Sequence, residues 1–259
     1  MFVARFVVFL TKRLKEMAVN RHIIDYASRR DGPFKRRDIA DYLQKEGILN
    51  EASLPKQIER LVLSGTLEKA GWGKYVLSSS VKPSLLIRPA EETLDMGRAL
   101  RVRYPLADFC IWDASSVTPF MLHVPNVDMV IVDVERSLEQ TFFDALREMY
   151  PQHIVLPDPS REDYYKYGSG KKTVIVHPLT TEAPVDKIEG FFVPTVEKML
   201  VDVAVNPEFD FAEGRDMRHI YGNILADYDV SESKLFRYAR RRGCEERVKQ
   251  LMNPEYSYD

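Results

Sequence analysis

Between Met17 and Leu77 the apolar positions recur three times at helical spacing and then switch to alternation. In the first segment Ile23, Ile24 and Ala27 share a face, Arg21, Arg29 and Arg30 lie outside it, and Asp31-Gly32-Pro33 stops the helix. The second, "FKRRDIADYLQKEG", turns Ile39, Ala40 and Leu43 inward and ends at Gly47. Asn50 and Ser53 are candidate N-caps of the third, where Pro55 is tolerated because the first turn lacks partners for its N–H groups. Ile58, Leu61 and Val62 form its apolar stripe, with Lys56, Gln57, Arg60 and Ser64 opposite. After Gly65 the pattern alternates, and Gly71 and Gly73 flank Trp72 at the tip of a hairpin. Three helices followed by a hairpin predict a winged helix-turn-helix.

Downstream the periodicity changes. "SSSVKPSLLIRPA" (78–90) breaks it and marks a boundary. Beyond Glu91, apolar runs at Phe109–Asp113, Met129–Glu135, "HIVLPD" and "KTVIVHPL" read as strands, and "SLEQTFFDALREMY" as an amphipathic helix. From about Pro194 the chain is helical to the end. The expected class is α+β: a winged helix-turn-helix over 1–80, then over 91–259 a mixed α/β sheet domain closing in a helical bundle. Residues 1–16, "MFVARFVVFLTKRLKE", fit an extra amphipathic helix better than a secretory signal, because the charges follow the apolar run. They are also too short to span a bilayer, and Met17 is an alternative initiator.

Charge sharpens this division. Residues 1–80 hold fifteen Lys and Arg against nine Asp and Glu, a net +6, whereas the remainder carries −8. A basic head on an acidic body suits a nucleic-acid reader joined to a module with another task. The third helix would enter the major groove of double-stranded DNA, with Gln57 pairing to adenine and Arg60 to guanine. Lys35, Arg36, Arg37, Lys56, Lys69 and Lys74 would hold phosphates. Trp72 is a wing contact or, alternatively, a residue that docks on the second domain. A further basic cluster, Arg237, Arg240, Arg241 and Arg242, lies near the C-terminus.

Chemistry is sparse. Cys110 and Cys244 lie far apart, and the five histidines fall singly without metal-ligand spacing, so no cofactor or metal is expected and the cytoplasm is the expected compartment. Asp128, Asp133 and Glu135 are the most enzyme-like set. A Mg²⁺-dependent nuclease could use them, but a sheet-edge charge pair bonded to Arg or backbone is the simpler reading. "YGSGKKT" (167–173) lacks the first glycine of a phosphate loop and precedes a strand, so it reads as a turn.

"SGTLEKAGWGKYVL" resembles the end of the winged helix in AbiEi-type antitoxins. "VHPLTTEAPV", "FVPTVEKMLVDVAV" and "LFRYARRRG" resemble the body of AbiEi-like proteins. The resemblance covers most of residues 17–253. It implies a non-enzymatic transcriptional autoregulator of a type IV toxin–antitoxin, or abortive-infection, system. Such a protein binds inverted repeats at its own operon and counters a nucleotidyltransferase-like toxin, without direct binding being implied. A neutral Trp72 at the wing tip and the leading "MFVARFVVFL" depart from that family. Glu197, Lys198 and Asp202 read as packing and capping, with Leu200 and Val201 in the core. A nuclease or nucleotide-processing enzyme targeted by the winged helix, and a protein-interaction adaptor, are the alternatives.

Overall fold

The computed structural model describes residues 19–30, 32–78 and 82–253, so the expected helix over 1–16 lies outside the described residues. Chain contacts divide it into a first unit, Met1–Leu86 with Asp227–Asp229, and a second, Ile87–Ala226 with Val230–Asp259. Its class is α+β.

The first unit runs α1 (19–28), β1 (Phe34–Lys35), α2 (Arg36–Lys45), α3 (Leu54–Leu63), β2 (Leu67–Lys69) and β3 (Lys74–Leu77). The three strands form an antiparallel sheet in the order β1-β3-β2. Its core gathers Ile23 and Ala27 of α1, Phe34 of β1, Ile39 and Leu43 of α2, Leu54, Ile58 and Leu61 of α3, and Leu67 of β2. Gly47 and Gly65 follow the two helix ends with φ of 68° and 73°, left-handed values that a side chain would strain. The buried Asp25 of α1 accepts from Arg29 and from the Tyr42 hydroxyl of α2, tying these helices by charge as well as by packing. The strand β1 is too short to show as alternation in sequence. It exists because Phe34 and Lys35 pair with Tyr75 and Lys74.

In the second unit, α4 (Glu91–Arg103), β4 (Phe109–Asp113), β5 (Met129–Val134), α5 (Glu139–Met149) and β6 (Ile154–Pro157) come first. A short α6 (Arg161–Asp163) runs into a π-helical turn at Tyr164–Gly168, followed by β7 (Thr173–Pro178), β8 (Val185–Ile188) and β9 (Phe191–Pro194). The chain closes with α7 (Val196–Val205), α8 (Arg215–Asp227), α9 (Glu232–Arg241) and α10 (Glu245–Met252). The sheet order is β6-β7-β5-β4-β9-β8, with β5, β6 and β7 mutually parallel and β4 antiparallel to β5.

Period-2 alternation sorts the strand residues onto two covered faces. Phe109, Ile111, Val130, Val132, Val174 and Val176 pack with Met96 and Leu100 of α4 and Phe142 and Leu146 of α5. Cys110, Trp112, Ile131, Asp133, Ile175 and His177 take the opposite face, where Trp112 stacks on Phe209 at 5.3 Å between centroids. Helix α7 is buried from Val196 to Ala204, so it is a central helix rather than an amphipathic surface one. Among the described residues no helix is long and apolar enough to cross a membrane.

On α4, Gly97 admits the ring of Phe191: a Cβ there would stand 2.7 Å from the ring edge. Gly97→Ala should therefore destabilise by about 1–3 kcal/mol, despite alanine's better helix propensity. Urea denaturation checks this, and equal or greater stability would show that the ring yields.

Candidate nucleic-acid interface

The sequence-predicted DNA-binding residues fall on three neighbouring segments of the first unit. Arg36 and Arg37 occupy the first turn of α2, and both are exposed. Cations there oppose the helix dipole, at a cost of about 0.3–1 kcal/mol each. Asp38 offsets part of this by accepting from the Lys35 N–H at 2.8 Å. Neither arginine forms an ion pair among the described residues, so helix stability does not account for them. Lys56 and Arg60 stand exposed on α3, with Glu59 and Leu63 beside them. In the hairpin, Lys69 and Lys74 are exposed on β2 and β3. Trp72 projects fully into solvent between Gly71 and Gly73, whose φ values are 123° and 66°.

One assignment fails. Gln57 is only 4% exposed, packed inward with Leu54, Ile58 and Leu61. Residues 54, 57, 58 and 61 form the i, i+3, i+4, i+7 stripe of α3, which starts one turn earlier than Ile58, Leu61 and Val62 imply. Gln57 therefore cannot read adenine, and the outward face is Lys56, Glu59, Arg60 and Leu63. Asn50 does not cap α3 directly; its side-chain oxygen accepts from the N–H of Ser53, the residue at the cap position.

The second basic cluster also dissolves. Arg242 turns inward, donating to Asp202 at 2.7 Å and to Asn206 at 2.5 Å. Arg241 bonds Thr181 and Glu182, and Arg240 lies 3.6 Å from Glu245. Of the four, Arg237 alone remains exposed without an ion pair among the described residues.

Nor do the three acidic candidates converge. Asp128 sits before β5, 3.4 Å from Lys172, at a cleft of about 510 Å³ that Thr93, Asp95 and His153 also line. Asp133 lies five residues further along the extended chain, about 16 Å away. Glu135 falls past the strand end and is exposed. No three His, Cys, Asp or Glu side chains among the described residues could hold a metal ion.

Asp133 instead belongs to a buried ionic network that the spacing of residues did not disclose. The Lys198 ammonium, fully buried, donates to Asp133 at 2.6 Å and to Asp202 at 2.5 Å. It lies about 6 Å from the ring centroids of Trp112 and Tyr238. Burial alone would strip its proton, but the two carboxylates hold its pKa well above the ordinary lysine value. Asp202 also accepts from the Tyr238 hydroxyl and from Arg242. Through Asn206, which donates to Glu208, the network reaches His177. That imidazole bonds Asp158 through Nδ1 at 2.7 Å and Glu208 through Nε2 at 2.8 Å. Burial pushes its pKa down, yet the two carboxylates prevail and raise it to about 10. Both ring nitrogens donate in that state, so His177 is a charged structural link without a free lone pair for a metal or for base catalysis.

Residues 53–258 match a family of unknown function, DUF6577. The chain belongs to that family. No curated protein matches it. Among solved structures it is similar to the Rv2827c protein from Mycobacterium tuberculosis, at 16% identity and a TM-score of 0.30, over 91% of this chain and 80% of that one. The DUF6577 match begins at Ser53, so it takes in α3, the hairpin and the ionic network but not α1 or α2.

Two outcomes follow from the network. Lys198→Met should cost about 3–5 kcal/mol in denaturant unfolding, because two carboxylates are left buried without their cation. His177 has a folded pKa above its unfolded value, so its contribution is complete below about pH 6.5 and is lost as pH rises towards about 10. His177→Gln should flatten stability against pH across that window, read by thermal melts; an unchanged slope would remove His177 as its source.

Proposed function

We propose that the first unit is a winged helix-turn-helix that binds double-stranded DNA, and that the chain is a transcriptional autoregulator of the antitoxin type. The observation that carries this is the set of outward cations Arg36, Arg37, Lys56, Arg60, Lys69 and Lys74, spread over α2, α3 and the hairpin of one small unit. Helix, strand, helix, helix and hairpin, in that order, is the topology such a domain requires. In it α3 enters the major groove and the hairpin flanks the backbone. Arg60 is the base-reading candidate, with Lys56 beside it. Arg36, Arg37, Lys69 and Lys74 are the phosphate contacts. The fully exposed Trp72, with no charge of its own, meets sugar or groove wall.

The autoregulatory part rests on the resemblance of "VHPLTTEAPV" and "FVPTVEKMLVDVAV" to AbiEi-like proteins. It proposes inverted repeats upstream of the chain's own operon as the DNA target. A nucleotidyltransferase-like toxin is then the functional partner.

Fluorescence anisotropy with upstream DNA and with random DNA across a salt titration tests the reading. Arg60→Ala should lose about 1–3 kcal/mol on the specific site and little on random DNA. Lys74→Ala should weaken both alike and lower the salt slope by about 1. Gln57→Ala should change stability rather than specificity. Affinity that ignores sequence would remove the repressor role, and absence of any DNA binding would remove the whole reading.

A further inference from the structure

Helix α8, thirteen residues from Arg215 to Asp227, carries a feature that the fold does not use. Gly222 stands inside it in ordinary helical conformation, exposed, and a Cβ added there would meet nothing within 4 Å. A helix-interior glycine is destabilising relative to alanine, and here neither a positive φ nor internal packing requires one. Ala226 follows one turn later, also exposed, so this face of α8 is nearly bare backbone.

Two clefts meet at this point. One, of about 620 Å³, lies between α8 and α10, with Met217, Leu225, Leu251 and Met252 as its apolar lining. The other, of about 400 Å³, lies beside Leu122 and the first turns of α8. Arg218 and Gly222 belong to both, so the two join along the helix. No carboxylate among the described residues lines either. The nearby Asp216 is engaged by the N–H groups of Leu122 and His123. Elsewhere in this unit Arg98, Arg103, Arg161, Arg240, Arg241 and Arg242 all pair with carboxylates. Arg215 and Arg218 form no ion pair among the described residues.

We infer that this groove is a docking site for an acidic amphipathic helix of a partner protein. The small residues at i and i+4 let a second helix approach closely, as in helix-in-groove recognition. Methionine and leucine supply an adaptable apolar floor. The unpaired arginines on an otherwise acidic body select a partner with carboxylates along its flanks. Among the described residues the floor has no Phe, Tyr or Trp, which disfavours single-stranded nucleic acid, whose bases would need rings to stack on.

The probe is a fluorescein-labelled peptide of about four helical turns, with Leu at i, i+3, i+4 and i+7 and Glu at the remaining positions. A counterpart carries Lys at those polar positions. With the full chain, the acidic peptide should bind at least about tenfold more tightly than the basic one. It should protect amides of residues 214–226 and 250–253 from hydrogen exchange. Gly222→Leu and Arg218→Glu should each weaken it by about tenfold, with the melting temperature not lowered and the DNA affinity of the first unit unchanged. The inference falls if acidic and basic peptides bind alike, if the acidic peptide does not bind, if protection maps elsewhere, or if a single-stranded oligonucleotide occupies the groove more tightly.

Discussion

The second unit depends on one ammonium group. Lys198 sits at the centre of the helical layer, and its charge is met by Asp133 of β5 and Asp202 of its own helix. A cation removed from water at this depth costs several kcal/mol, and only paired, hydrogen-bonded carboxylates recover it. That requirement fixes the rotation of α7 against the sheet, because a turn of the helix in either direction would carry Lys198 away from Asp133. Arg242 then balances the second carboxylate, so α9 is held in place by charge as well as by Leu235 and Ala239.

Electrostatics is used differently in the two units. In the second, most arginines are engaged by the fold; of the cluster at 237–242, Arg242 turns inward and Arg240 and Arg241 pair with carboxylates at the surface. In the first, the cations of α2, α3 and the hairpin face outward, and two of them oppose a helix dipole. Among the described residues the first unit presents outward cations on α2, α3 and the hairpin, and in the second Arg215 and Arg218 of α8 share their lack of an ion pair with Arg136, Arg147 and Arg237.

Much of this was legible along the chain. The apolar runs at Phe109–Asp113 and Met129–Val134 lie where strands form, because both faces of the sheet are covered and each run is bounded by turn residues. Gly47 and Gly65 end their helices as their type demands. The hairpin β8–β9 escaped notice: its two-residue turn, Glu189-Gly190, needs positive φ at both positions, and glutamate does not announce one. Gln57 reads as outward from the spacing of Ile58, Leu61 and Val62 alone, but Leu54 heads the buried stripe and turns Gln57 inward. The ionic network was hidden for a different reason. Lys198 and Asp202, four residues apart in an apolar helix, hinted at a pair, but Asp133 lies 65 residues upstream and nothing local connects them.

The Lys198 network draws its members from β5, α7 and α9 and extends to β7 through His177, so its balance exists only when all of them are assembled. An intermediate holding the sheet and α7 without α9 would keep two carboxylates and a single ammonium in its interior. Partial structures of the second unit are thus penalised electrostatically, beyond the loss of contacts, which favours all-or-none assembly. The final two helices are then not an appendage to a finished sheet. A ribosome would have to release the chain through Arg242 before this unit could close.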